Sequence, residues 1–299
     1  MVDFSVLPED CVTKVLSFTT PRDVCRLTLV ASTVMYTADS DPVWETFLPE
    51  DYHDIVSQFQ LVFSSKKELY FQLCNRPLLI DGGTKSFWLE KWSGKKCYML
   101  AARDLYIIWG DTPLYWRWDS SSRARESRFR EVAELVSVCW LEIRGKIDTC
   151  MLSPDTTYAA YLVFKSTSAM YGFEYQPVEG WVAVGGNKSE TRTVYLDPAP
   201  EERQQFHIVL RQAGMLRYPT TGMVGRQASP PRENPPCRES NAQYPKERGD
   251  GWFEIEFGEL YNKSGEDGEL ELCLQEVKSG SWKSGLILEG IEIRPKEGN

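Results

Sequence analysis

A chain of 299 residues, 42% hydrophobic and 26% charged, has the makeup of a globular protein with one large domain or two ordinary ones. Its formal net charge of -9 argues against a broad phosphate-binding face, so no nucleic-acid partner is expected. No apolar run reaches about 18 residues, so no membrane span is expected, and the start MVDFSVLPEDCV lacks the basic and apolar segments of a secretory leader.

Residues 1–50 read as a small helical unit. LPEDCVTKVLSF carries Leu7, Cys11, Val12, Val15, Leu16 and Phe18 at helical spacing, with Pro8 suited to the first helical position. Thr20-Pro21-Arg22-Asp23 predicts a second start, with a Thr N-cap, Pro at N1 and an acid at N3. Asp41-Pro42 repeats the device ahead of Val43, Trp44, Phe47 and Leu48. Acids outnumber the bases Lys14, Arg22 and Arg26 here. Three short helices bury little surface alone, so the surplus apolar residues call for a partner to cover them. Residues 51–85 read as a helical linker in which KKELYFQL forms a connecting helix and IDGGTK ends it.

From residue 86 the hydrophobic period shifts toward two. In WFEIEF, Phe253, Ile255 and Phe257 face one way and Glu254 and Glu256 the other. ELELCLQEV and LILEGIEIRP alternate alike, and SVCWLEIRGKI, TYAAYLVFK and HIVLR are further strand candidates. The whole predicts an α+β multidomain chain whose sheet part, 86–299, is an antiparallel β-sandwich of jelly-roll type. A Pro-rich insertion interrupts it around 198–250.

The cysteines Cys11, Cys25, Cys74, Cys97, Cys139, Cys150, Cys237 and Cys273 form no CxxC pair, and only His53 and His207 accompany them. Reduced thiols are expected, with no metal, no cofactor and no catalytic residue. There is no GxGxxG after a strand and no GxxxxGK[ST].

The first segment, LPEDCVTKVLSF followed by VCRLTLVASTVMYTADSDPVWETFLP, resembles an F-box. The resemblance implies docking onto a Skp-type adaptor and, through it, a cullin of a ubiquitin ligase. Leu7, Pro8, Val15, Leu16, Val30 and Trp44 are the candidate adaptor contacts, with Trp44 as the hot spot because it brings large area with few rotors. The rest resembles the plant phloem protein 2 family, or Nictaba-like lectins, in FWLEKWSGKKCYMLAARDL, WGDTPLYWRW, VCWLEIRGKI, YAAYLVFK, DGWFEIEFGEL, GEDGELELCLQEV and WKSGLILEGIEIRP. Together the two point to an F-box member of the PP2-B type, with domains at 1–50, 51–85 and 86–299.

That family implies a carbohydrate site for N-acetylglucosamine oligomers, N-glycans or glycoproteins. Trp109 and Trp116, on either side of the Asp111–Pro113 turn, are the candidate platform; Glu259 and Glu266 are the candidate hydroxyl acceptors. Trp140, Trp252 and Trp282, in or beside strands, are read as core, and Trp118 is read as the buried member of the 104–118 cluster. A glycosidase pair made of Glu259 and Glu266 has nothing to single out acid and nucleophile. Direct protein recognition by the Pro/Arg-rich 220–248 stretch is the alternative to sugar binding. The lysine run that can act as a nuclear address in this family is replaced by scattered arginines; the F-box suits both cytoplasm and nucleus.

Overall fold

A computed structural model describes residues 7–29, 32–120, 126–173, 176–198, 243–265 and 267–296. Val30, Glu266, the strand candidate HIVLR and most of the Pro-rich insertion lie outside them.

Among the described residues six α-helices come first: α1 (Glu9–Ser17), α2 (Pro21–Leu27), α3 (Ser32–Ala38), α4 (Asp41–Glu45), α5 (Tyr52–Phe59) and α6 (Lys66–Asn75). The Thr20 start forms as the sequence predicts. Thr20 Oγ1 accepts from the Asp23 N–H at 3.2 Å, and its hydroxyl donates to the Asp23 carboxylate at 2.7 Å. The other two starts differ. Pro8 sits just outside α1 as its N-cap, its carbonyl accepting from Cys11 and Val12. Ser40 is the N-cap of α4, and the Asp41 carboxylate accepts from the Lys66 N–H at 2.7 Å, at the start of α6. One acid thus serves a helix distant in sequence, which local spacing cannot reveal.

Fifteen strands follow: β1 (Leu78–Ile80), β2 (Lys85–Leu89), β3 (Lys96–Ala101), β4 (Tyr106–Ile107), β5 (Trp116–Asp119), β6 (Val132–Leu135), β7 (Leu141–Asp148), β8 (Thr156–Tyr171), β9 (Val178–Val184), β10 (Asn187–Lys188), β11 (Arg192–Val194), β12 (Lys246–Glu247), β13 (Phe253–Asn262), β14 (Glu269–Glu276) and β15 (Ser284–Pro295). Every ladder between them is antiparallel. The larger sheet runs β1-β2-β3-β15-β8-β13-β12, with β6 also on β15 and β5 on β6; the smaller runs β10-β9-β14-β7-β4, with β11 on β9. Strand pairing begins at Leu78, inside the stretch read from sequence as helical linker. IDGGTK is a hairpin turn between β1 and β2, with Gly82 and Gly83 at positive φ, rather than a boundary.

The sheets face each other closely. A Cβ on Gly180 of β9 would lie 2.6 Å from the Phe257 Cβ of β13. Inward residues of both sheets, such as Leu100, Leu162, Phe257 and Leu272, join one apolar cluster that continues into Trp44, Leu69 and Tyr70 of the helices. A second, smaller cluster covers part of the larger sheet's outer face, around Trp252, Phe129 and Val163.

The helical unit seats on one end of the sandwich. The Tyr70 hydroxyl bonds the Lys91 and Glu90 carbonyls at 3.0 and 3.2 Å, and Lys96 pairs with Asp51 at 3.0 Å. The β7–β8 and β13–β14 connections share this end: Ser153 Oγ accepts from the Lys96 N–H, and its carbonyl accepts from Asn262, each at 3.0 Å.

Candidate functional site

Two surfaces stand out, one on the helices and one at the far end of the sandwich. On α1, Val12 and Leu16 are buried, while Leu7, Cys11, Val15 and Phe18 are exposed, Phe18 by 78%. The spacing of 11, 15 and 18 puts Cys11, Val15 and the C-cap Phe18 on one side of α1, while Leu7 precedes the N-cap Pro8. Leu29, Met35 and Tyr36 add further exposed apolar surface in the same unit. Of the adaptor contacts expected from sequence, Leu7, Pro8 and Val15 lie at the surface and Val30 is outside the described residues.

Leu16 and Trp44 lie in the core instead. Trp44 is the hub of the helical unit: its Nε1–H donates to the Ala38 carbonyl at 2.6 Å, and Phe47, Tyr70 and Phe71 ring it at centroid distances of 5.8, 5.2 and 5.3 Å. A short helix such as α4 can bury its one large residue only against a neighbour, here α6. Phe18, not among the adaptor contacts expected from sequence, is exposed three residues on from Val15.

The expected sugar residues separate. Trp109 is 39% exposed and stacks on Tyr115 at 5.1 Å. Its φ of +55° is the left-handed region, which bulky residues occupy only when their surroundings hold them there. The holding groups are the other two indoles. Trp116 Nε1–H donates to the Ile108 carbonyl at 3.2 Å, and Trp118 Nε1–H donates to the Gly110 carbonyl at 2.9 Å, one on each side of Trp109.

This reverses the sequence-based roles of the pair. Trp116 is 1% exposed, because β5 folds in against β6 and turns that ring into the core. Trp118 is only partly buried, under the Arg103 guanidinium 3.5 Å from its ring.

Trp140 and Trp282, read as core from sequence, are exposed, whereas Trp252 is buried. They join Trp109 at one rim through a chain of backbone contacts. The Val136 N–H donates to the Tyr115 carbonyl, Val138 and Lys283 exchange bonds of 2.9 and 2.7 Å, and Ser284 pairs with Tyr171. Gly172 makes the last junction possible: it has φ +85°, and a Cβ there would lie 2.1 Å from the Trp282 carbonyl. Exposed Trp109, Leu114, Trp140, Tyr171 and Trp282 therefore ring the end of the sandwich away from the helices.

Glu259 lies near the other end, level with Ala159 in β8. A bulge between Glu256 and Gly258 breaks the alternation of β13 and sends Glu256 and Glu259 to the same side. There Arg192 bridges both carboxylates, Lys296 also binds Glu259, and Tyr161 donates to Glu256 at 3.2 Å. Burial works to raise the Glu259 pKa, but the bonds from Lys296 and Arg192 outweigh it and hold it down at about 2. Both bonds fall on its Oε1. β7, which spans from the aromatic rim to the helical end, has eight residues, or roughly 26 Å. The structure thus does not bring Glu259 to Trp109, and Glu266 lies outside the described residues. Among the described residues no group of three or more His, Cys, Asp or Glu could hold a metal, and no helix is long and apolar enough to cross a membrane.

Residues 95–295 match the family model of phloem protein 2. The chain is 43% identical to the F-box protein PP2-B1 of Arabidopsis thaliana over 310 residues, covering 99% of this chain and 91% of that one. It is 44% identical to the F-box protein PP2-B10 of the same plant over 294 residues, covering 98% and 94%. Among solved structures, a β-(1,4)-mannanase from Podospora anserina carrying GH26 and CBM35 parts aligns at a TM-score of 0.32 and 9% identity, over 68% of this chain and 28% of that one; so loose a likeness informs neither fold nor function.

Proposed function

The chain belongs to the phloem protein 2 family, as a plant F-box protein of the PP2-B type, and on that premise we propose that it is the target-recognition subunit of a Skp–cullin–F-box ubiquitin ligase. The observation that carries this reading is the second apolar face of α1. Val12 and Leu16 already serve the core, while Leu7, Val15 and Phe18 keep much of their apolar surface exposed. An apolar helix face left outside a folded unit suits docking against another helical protein. The ubiquitin thioester chemistry belongs to other subunits, and this chain contributes binding and placement.

The lectin-like sandwich selects the target in this reading, through N-acetylglucosamine oligomers or N-glycans at the aromatic rim. A pyranose has an apolar C–H face that an indole such as Trp109 can cover. Because Tyr70 and Lys96 tie the helices to the opposite end, a target held at the rim keeps a defined distance from the adaptor. A second reading, direct contact with a protein surface, is favoured by Leu114, an aliphatic side chain 76% exposed on the same rim.

The test uses the whole chain with purified Skp-type adaptor in size-exclusion chromatography. The double variant Val15→Asp/Phe18→Asp loses co-elution, while Trp109→Ala keeps it. Undiminished co-elution of the double variant would sink the docking surface. Titration of N-acetylglucosamine oligomers into the same protein separates the sugar reading from the protein one.

A further inference from the structure

Between β2 and β3 the chain makes a turn, residues 90–95, that is stiff on its own account. The Glu90 N–H donates to the Lys95 carbonyl and the Gly94 N–H to the Glu90 carbonyl, each at 2.8 Å. The Glu90 carboxylate closes the turn from within. It accepts from the Trp92 N–H at 3.0 Å, and from the Ser93 N–H and hydroxyl at 2.7 Å each. A turn whose main chain is bonded this fully keeps its shape whatever packs on it.

Three parts of the helical unit hold it. From α6, the buried Tyr70 hydroxyl donates to the Glu90 and Lys91 carbonyls. Burial pushes the Tyr70 pKa up, so the phenol stays a donor. After α4, the Phe47 carbonyl closes on Gly94, where a Cβ would lie 2.9 Å from that oxygen and 3.4 Å from the Tyr70 ring. From α2, the Arg22 guanidinium lies 5.5 Å from the Trp92 ring, and Lys91 reaches back over Phe71 at 6.0 Å. Phe47, Tyr70 and Phe71 are the rings that surround Trp44. The turn is therefore seated against the hub of the helical unit.

Its place gives it leverage. The sandwich extends roughly 26 Å from this end to the aromatic rim, so a tilt of about 10° at the turn carries the rim about 5 Å. Ubiquitin transfer needs a lysine amine at the thioester carbonyl of a charged carrier; the isopeptide bond forms and the carrier's thiol leaves. Displacements of several ångströms decide whether that amine arrives.

We propose that the 90–95 turn sets the direction of the adaptor-docking helices against the sandwich, with Tyr70 and Trp92 as positioning residues for ubiquitin transfer. The proposal rests on the ligase reading above and adds to it where the reach of the ligase is fixed: at this seam, away from both binding surfaces.

The experiment reconstitutes the full chain with Skp-type adaptor, cullin, its ring-finger subunit, ubiquitin and a charged conjugating enzyme. Mass spectrometry then maps which lysines of the chain itself become modified. Exposed lysines such as Lys146 and Lys278 are the acceptor probes. The parent concentrates ubiquitin on a subset of them. In Tyr70→Phe/Trp92→Ala the share on the parent's main acceptor falls about threefold, and ubiquitin spreads to lysines the parent leaves bare. Tyr70→Phe keeps the core ring and Trp92 is 45% exposed, so co-elution with the adaptor is unchanged. Trp92→Phe, which keeps a ring beneath Arg22, retains the parent's pattern. A double variant with the parent's lysine pattern overturns the positioning role and leaves the ligase reading standing. If the parent recruits no adaptor, the ligase reading falls and the proposal falls with it.

Discussion

The helical unit and the far rim of the sandwich both leave large apolar side chains outside, but of different kinds. At α1 the exposed groups Val15 and the C-cap Phe18 share one side, with Leu7 just ahead of the N-cap, and the pair Val12 and Leu16 is buried. At the rim the groups are mostly rings, drawn from separate strand ends and connections and set among polar groups, as Trp140 is beside Glu142. A continuous apolar stripe suits a protein partner that excludes water along its length. Isolated rings among hydrogen-bonding groups suit a small polar ligand with an apolar face. In both regions an indole, Trp44 or Trp116, is buried as scaffold, and neighbouring residues reach the surface.

That division breaks first under core substitutions. Trp44→Ala is expected to cost about 3–5 kcal/mol in denaturant unfolding, by opening a cavity among Phe47, Tyr70 and Phe71. A loss under 1 kcal/mol would place Trp44 with the contacts after all. Gly172→Ala should cost more than about 2 kcal/mol, since it adds left-handed strain and a clash with the Trp282 carbonyl. Quenching of exposed tryptophan fluorescence should change with it, as the rim loses its last junction.

Smaller effects sharpen the comparison. Glu259 is held at about 2 against an ordinary value of 4.5. Its contribution is fully present above about pH 4.5 and is lost as pH falls toward 2. Solvent screening limits it to about 1 kcal/mol, and Glu259→Gln should flatten that part of the acid-unfolding curve. If the curve is unchanged, the Arg192–Glu259–Lys296 group is not stabilising. Val15→Asp should shift stability by no more than about 0.5 kcal/mol while weakening adaptor binding, the signature of a contact residue without a core role.

Particular residues show where sequence reading succeeds. WFEIEF and LILEGIEIRP become β13 and β15: Ile255 and Phe257 turn to the core while Glu254 and Glu256 stay partly exposed, whereas in β15 both faces are covered, with Glu289 and Glu292 buried beside the apolar positions. The Thr20–Asp23 capping pair forms because its partners are three residues apart. Trp140 and Trp282 were misread because alternation stops at a strand's end, and both sit just before a strand begins. The β13 bulge is equally silent in sequence, yet it decides that Glu256 and Glu259 share Arg192.

By itself, then, the sequence determined the succession of a helical unit and antiparallel strands, the family, and the apolar spacing along α1. Those follow from local periodicity, capping and motif order. Only tertiary structure decided that Trp116 and Trp118 clamp the carbonyls beside Trp109. It also decided that Glu259 is spent on Arg192 and Lys296, and that the aromatic rim lies across the sandwich from the helices. Those outcomes depend on which strands neighbour one another, and so on packing between residues far apart in the chain.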